Sequence, residues 1–345
     1  METTRNLKKA TIVILALLAA GCAAVGPDFV PPEADIPDGW TQEPASGLNT
    51  GPHELVEWWK IFNDPVLDEL VTIARLNNNT LEAAGIRVLE AQAQLGIARG
   101  LQFPQTQAAA GEANYTSPPE NSGVTSRYWQ LGMGATASWE IDFWGRFRRG
   151  IESADAAFID SIAAYDQAQF ILTAAVVDLY NVIRTTEMQL DISRANIDIQ
   201  QRSYDIAEVL YKNGANSELD MQQANTLLLS TLATIPSLEV ALAQARNALS
   251  TLVNQAPGTV REILEKGAGI PKIPDQVAVG IPADMLRRRP DVRAAEYQAM
   301  AQNALVGLAK ADLYPSFSLT GSIGVSSNTL GDADFGDLFS SDALV

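Results

Sequence analysis

The chain of 345 residues carries 41 acidic and 24 basic side chains, a net charge of −17, with one cysteine and one histidine. That length allows a large core or two domains. The acidic balance excludes a general phosphate-binding surface, because nucleic-acid binders cluster Lys and Arg, and a single cysteine excludes an internal disulfide. The one basic run, Arg287–Arg289, is followed by Pro290 and Asp291 and reads as a solvated helix start.

Residues 1–22 read as a signal peptide. Arg5, Lys8 and Lys9 precede an apolar stretch, Ala10–Ala20, that is too short for a finished membrane helix. The stretch ends in LLAAGC, and Cys22 sits where a bacterial lipoprotein signal places its lipidated residue. Ordinary cleavage beside an incidental thiol is the other reading. Elsewhere no run of about 20 consecutive apolar residues occurs, so no transmembrane helix is expected and a spanning part must be β.

Residues 23–65, rich in Pro, Gly, Asp and Trp, read as an extended strap. In NDPVLDEL, Asp64 caps a helix and Pro65 takes its first position. The NNN at 77–79 interrupts, and a second helix runs from about Thr80 to Leu101; these first-repeat helices occupy 66–103. Leu81, Ala84, Val88, Ala91, Leu95 and Ala98 form a coiled-coil seam. Pro104 ends it.

Residues 104–145 read as a β-hairpin. Trp129, Leu131, Met133, Ala135, Ala137, Trp139, Ile141 and Phe143 alternate with polar or small residues, and aromatics stand at both ends. These eight are the membrane-facing side of a transmembrane strand, with a long soluble strand as the alternative. QTQAAAGEANYTS is its expected partner.

Residues 146–255 read as a long helical hairpin. Ile183, Leu190, Ile197, Tyr204 and Tyr211 recur every seven residues, while Ile192, Ile199 and Ile206 form a stripe on the opposite side. Two stripes suit a helix in the wall of a ring of helices; burial in a globular bundle is the alternative. The returning series Met221, Leu228, Ile235, Leu242 and Leu249 pairs with the first by reflection through residue 216. The turn at the tip has Gly214 as cap and Ser217 as the next N-cap, and Pro236 predicts a loosened turn. Residues 256–290 hold five prolines and read as a connector; a second-repeat helix takes 291–313, and a second strand begins in 314–345, whose acidic tail reads as a solvated loop.

GIARGLQFP at 96–104 returns as GLAKADLYP at 307–315, an ungapped offset of 211. The fold class is therefore mainly α with transmembrane β, in a duplicated unit of helix, β-hairpin and long helical hairpin. Four strands per complete unit pair cannot close a barrel, so several chains must contribute.

The stretches LLAAGCAAVGPDFVPP, WWKIFNDPVLDELV, ASWEIDFWGRFRRGIESA, YKNGANSELD and IPADMLRRRPDVRAAEYQAMAQNALVGLAKADLYPSFSLTGSIG carry a resemblance. On them the chain resembles the outer-membrane efflux proteins of the TolC type, and within these the lipoprotein branch that serves resistance–nodulation–division (RND) pumps. The resemblance covers nearly the whole chain. It implies a homotrimer with a 12-stranded barrel in outer-membrane lipid above a periplasmic α-barrel. A periplasmic adaptor and an inner-membrane RND pump are the implied partners. The tip residues Lys212, Asn213, Gly214, Ala215, Asn216, Ser217, Glu218, Leu219 and Asp220 are the partner-contact candidates. The offset puts a partner strand from about 340 and a second helical hairpin after it, so the second repeat is expected to be incomplete at its C-terminal end. Family gate residues lie mainly in that hairpin and none is carried over.

No nucleophile elbow, Walker loop or zinc spacing appears, and His53 reads as a surface residue. No catalysis, metal, cofactor or nucleic acid is expected. The function read is a passive exit duct for small molecules leaving the periplasm. The alternatives are a fragment that does not assemble, a coiled-coil spacer lipoprotein, or an exit duct for type I protein secretion.

Overall fold

The structure is a computed structural model and describes residues 24–33, 48–49, 57–117, 128–267, 269–272, 277–278 and 282–330. Cys22, His53 and the region near 340 lie outside the described residues. The chain is mostly helical with a small antiparallel sheet. It divides into two units, one built from residues up to 32, 89–160 and from 295 on, the other from 33–88 and 161–294.

The helical unit begins with a 3-10 turn, Trp58–Phe62, inside the stretch read as a strap. Trp59 is buried there, because an indole has more apolar surface than a solvated strap can hide. Helix α1 (Pro65–Asn77) starts where Asp64 Oδ1 accepts from the amides of Val66 at 2.9 Å and Leu67 at 3.2 Å. Only Asn78 breaks the helix. Its Oδ1 accepts from Leu81 N at 3.0 Å and its Nδ2 donates to Leu252 O at 2.9 Å, so α2 (Asn79–Gly100) starts already capped. Helix α3 (Arg146–Lys212) has 67 residues, roughly 100 Å. Leu67, Leu70 and Val71 pack with Val176, Tyr180 and Ile183 of α3, and with Leu249, Val260 and Leu264 further on.

The return arm is α4 (Glu218–Leu232) and α5 (Ile235–Leu252). They part where Pro236 supplies no amide hydrogen, and Ala233 and Thr234 form the looser turn. Ion pairs fix the register of the arms: Arg194 to Glu239 at 3.3 Å and Arg246 to Glu187 at 2.7 Å. Both pairs have their midpoint at 216.5, half a residue from the reflection through 216. Ile183, Leu190, Leu228, Leu242 and Leu249 are buried, whereas Ile192, Ile199 and Ile206 are exposed. Glu218–Leu252 is long and apolar enough, by length and composition, to cross a membrane. Polar residues interleave its leucines, which is why no run of consecutive apolar residues reveals it, and its seam packs on α3.

The region read as a connector is more structured than its prolines suggest. It holds α6 (Thr259–Leu264) and α7 (Pro282–Arg288). Strand β1 (Leu48–Asn49) pairs in parallel with β4 (Val277–Ala278). Prolines punctuate these short elements at their ends, where a missing amide costs least.

The duplication is visible in the backbone. Helix α8 (Pro290–Ala311) has 22 residues like α2, and both of its ends lie 211 residues beyond those of α2. Strand β2 (Thr106–Thr116) and β5 (Phe317–Leu330) begin with the same offset. The seam expected on α2 is its covered face: Leu81 and Leu95 are buried, and Ala84, Val88, Ala91 and Ala98 are half-buried. α8 covers a different face, with Ala294, Ala301, Ala304 and Ala311 buried. Mapped through the offset, no position is covered in both helices.

Candidate functional site

The sheet runs β2–β3–β5, all antiparallel, with β3 (Tyr128–Ile141) in the centre. β3 is paired along its length, from Tyr115↔Trp129 to Thr106↔Ser138 on one side and from Val325↔Met133 to Phe317↔Ile141 on the other. In both pairings odd-numbered residues oppose odd-numbered ones, so the three strands share two common faces. One face holds Trp129, Leu131, Met133, Ala135, Ala137, Trp139 and Ile141 beside Phe317, Leu319, Ile323 and Val325. The other holds Gln130, Thr136 and Ser138 beside Thr106, Glu112 and Asn114, and beside Ser318, Thr320 and Ser322. The Ser138 and Thr320 hydroxyls meet at 3.4 Å on this polar face.

From Trp129 to Ile141 the strand spans about 40 Å, or about 30 Å of height at the usual tilt, enough for the hydrocarbon layer. Aromatic pairs mark both ends: Tyr115 and Trp129 at 5.1 Å, and Trp144 stacked on Tyr314 at 4.6 Å. Met133 and Ile323 of the apolar face are exposed, while Leu131, between Ala113 and Ser327, is buried.

Phe143 is not a strand residue, which corrects the expectation. The strand stops at Ile141, because the Asp142 carboxylate accepts from Phe147 N at 3.1 Å and Arg148 N at 2.9 Å and turns the chain into α3. Phe143 instead packs edge-on against Trp144 and Phe317.

The turn also seizes the segment 24–28. Val25 N donates to Trp144 O at 2.9 Å. Arg149, its side chain 5% exposed, binds Asp28 at 2.8 Å and Glu152 at 2.7 Å, and donates to the carbonyls of Val25 and Gly26. Gly26, at φ +104°, lies so close to Gly307 that a Cβ there would overlap it, and a Cβ on Gly307 would meet Arg149 at 2.9 Å. The sequence reading did not find this clamp, because nothing in GRFRRGIESA sets Arg149 apart from Arg146 and Arg148.

At the hairpin tip, Gly214, at φ +74°, lets Ala215 N return to Leu210 O at 2.8 Å. Ser217 and Asp220 form a reciprocal capping box. Residues 212–220 are all exposed on this fixed turn. In the helical core the Tyr180 hydroxyl donates to Asp64 Oδ2 at 2.6 Å. Burial pushes its pKa up to about 12, and the Asp64 hydrogen bond adds to that. Among the described residues no group of three potential ligands is placed to hold a metal ion.

An apolar face with aromatic ends, a polar face, and outer edges at β2 and β5 that are unpaired among the described residues are the features of strands in a transmembrane barrel wall. The outer membrane efflux protein family matches residues 70–255 and 281–343. The chain is 30% identical to the probable efflux pump outer membrane protein TtgC of Pseudomonas putida, over 96% of this chain and 68% of that protein. It is 30% identical to the probable outer membrane lipoprotein SilC of Salmonella typhimurium, over 96% of this chain and 70% of that one. It superposes on the solved outer-membrane channel OprN with a TM-score of 0.82 at 30% identity, over 94% of this chain and 71% of that one. The chain spans about two thirds of the length of the curated relatives it matches. The chain belongs to the outer membrane efflux protein family. Its class is that of transport channels of the outer membrane.

Proposed function

We propose that the chain forms part of the wall of an outer-membrane exit duct, through which small molecules leave the periplasm without any chemical step. The observation that carries this is the two-faced sheet whose outer edges, at β2 and β5, are unpaired among the described residues. Open edges are not tolerated in lipid, and the four strands of a complete repeat pair are too few to close a barrel, so further copies contribute strands to the ring. The helices support the same reading. The face of α8 equivalent to the covered face of α2 is exposed, and the reverse also holds. Unlike, complementary faces of this kind join head to tail and close rings. A homotrimer is the assembly we propose.

Cys22 carries the lipid anchor in this reading, in keeping with the name of the relative SilC. The tip residues 212–220 meet a periplasmic adaptor, and an inner-membrane RND pump supplies the energy. Recording from the purified protein in planar bilayers tests the proposal. Stepwise ohmic conductance is expected, and its absence at protein levels that give heat-modifiable oligomers on gels contradicts the duct.

A further inference from the structure

The three strands contain no lysine or arginine and only two acids, Glu112 and Glu140. Glu140 stands at the helix end of β3, 3.5 Å from Arg146, which also binds Asp312 at 2.8 Å. Glu112 is different. It is exposed, lies inside β2 opposite Gly132, and has no ion pair among the described residues. A Cβ built on Gly132 would lie 3.2 Å from Glu112 Cγ and Oε1, so the side chain rests across the glycine on the polar face. A carboxylate at this depth on the lipid side would be costly, whereas on a water-filled side it keeps its hydration.

We infer that Glu112 sets the ionic preference of the strand-walled part of the lumen, making it favour cationic over anionic solutes. The inference rests on the duct reading above. Each copy of the chain adds one unbalanced negative charge to the same level of the wall. Its neighbours on that face, Ala110, Asn114, Gly132 and Gln130, carry no positive charge, and the three strands hold no lysine or arginine to balance it. Rings of acidic side chains select cations by this field. The field reaches about one Debye length, about 10 Å at 0.1 M salt and about 3 Å at 1 M.

The test is the reversal potential across a potassium chloride gradient in planar bilayers, for the parent chain, Glu112→Gln and Gln130→Glu. Gln130 lies on the same face, opposite Asn114. The parent is expected to favour K⁺ over Cl⁻. Glu112→Gln should bring the permeability ratio toward one with conductance retained, and Gln130→Glu should raise it above the parent. The differences should shrink at 1 M salt. Equal ratios in the parent and Glu112→Gln overturn the inference while leaving the duct intact. Absence of conductance in the parent overturns the duct reading itself, and this one with it.

Discussion

Helices α2 and α8 have the same length, the same relation to the strand that follows and no covered position in common. At Gly96 of α2 an added Cβ would meet nothing within 4 Å, while at Gly307, its equivalent in α8, it would strike Arg149 at 2.9 Å. Both helices carry small residues on two sides. Arg99 of α2 reaches Asp155 of α3 at 3.5 Å, and Gln298 of α8 reaches Asp160 at 3.2 Å. Each helix therefore meets α3 with a different side and leaves the other side free. Burial in this chain is decided by which neighbour is present and not by the helix sequence alone, as a wall of helices requires.

This contrast can be broken experimentally, most sharply at its clamp. Arg149→Ala should destabilise the α8 region by about 2–4 kcal/mol, since a buried guanidinium with four partners is lost. Urea unfolding, with proteolysis of residues 24–33 as a second readout, measures it; an unchanged midpoint means α8 docks without the clamp. Gly307→Ala should cost about 1–3 kcal/mol through overpacking. Gly96→Ala should instead be neutral or stabilising by up to about 1 kcal/mol within one chain, since alanine is the better helix former. Equal effects at the two glycines would erase the contrast.

Tyr180 lies on α3 beyond both contacts and separates loss of docking from loss of the long helix. Its folded form keeps the proton to about 12, whereas an unfolded tyrosine releases it near 10. Rising pH therefore favours the unfolded chain between those values, by about 2–3 kcal/mol. Alkaline titration of urea midpoints should show this loss in the parent and not in Tyr180→Phe. Smaller effects than at the clamp belong to the helix starts. Asn78→Ala should cost about 1–2 kcal/mol, because a cap and the bond to Leu252 O go together. At the equivalent position, Arg289→Ala removes only a solvent-exposed pair with Asp291 and should leave the melting temperature unchanged.

Periodicity made much of this legible before any coordinates. The seam from Leu81 to Ala98, the reflection of the hairpin arms, the loosened turn at Pro236 and the 211-residue repeat all follow from spacing, because local periods record which side of an element is apolar. Spacing does not say which of two apolar sides finds a neighbour, so the opposite burial of α2 and α8 was hidden. The Arg149 clamp was hidden too, since Asp28 is 121 residues away. The pairing of β1 with β4 joins two-residue segments that carry no period at all. Phe143 continued the alternation by coincidence; Asp142 had already turned the backbone.

The account stands on the assignment of the two sheet faces. Spin labels placed singly at Ala135, Thr136, Ala137 and Ser138, in bilayer-reconstituted protein with Cys22 blocked, report collisions with oxygen in lipid and with a polar nickel chelate in water. The two faces predict period-two alternation, with oxygen dominant at 135 and 137 and the chelate dominant at 136 and 138. Equal access at all four positions, or the opposite phase, would contradict the duct wall.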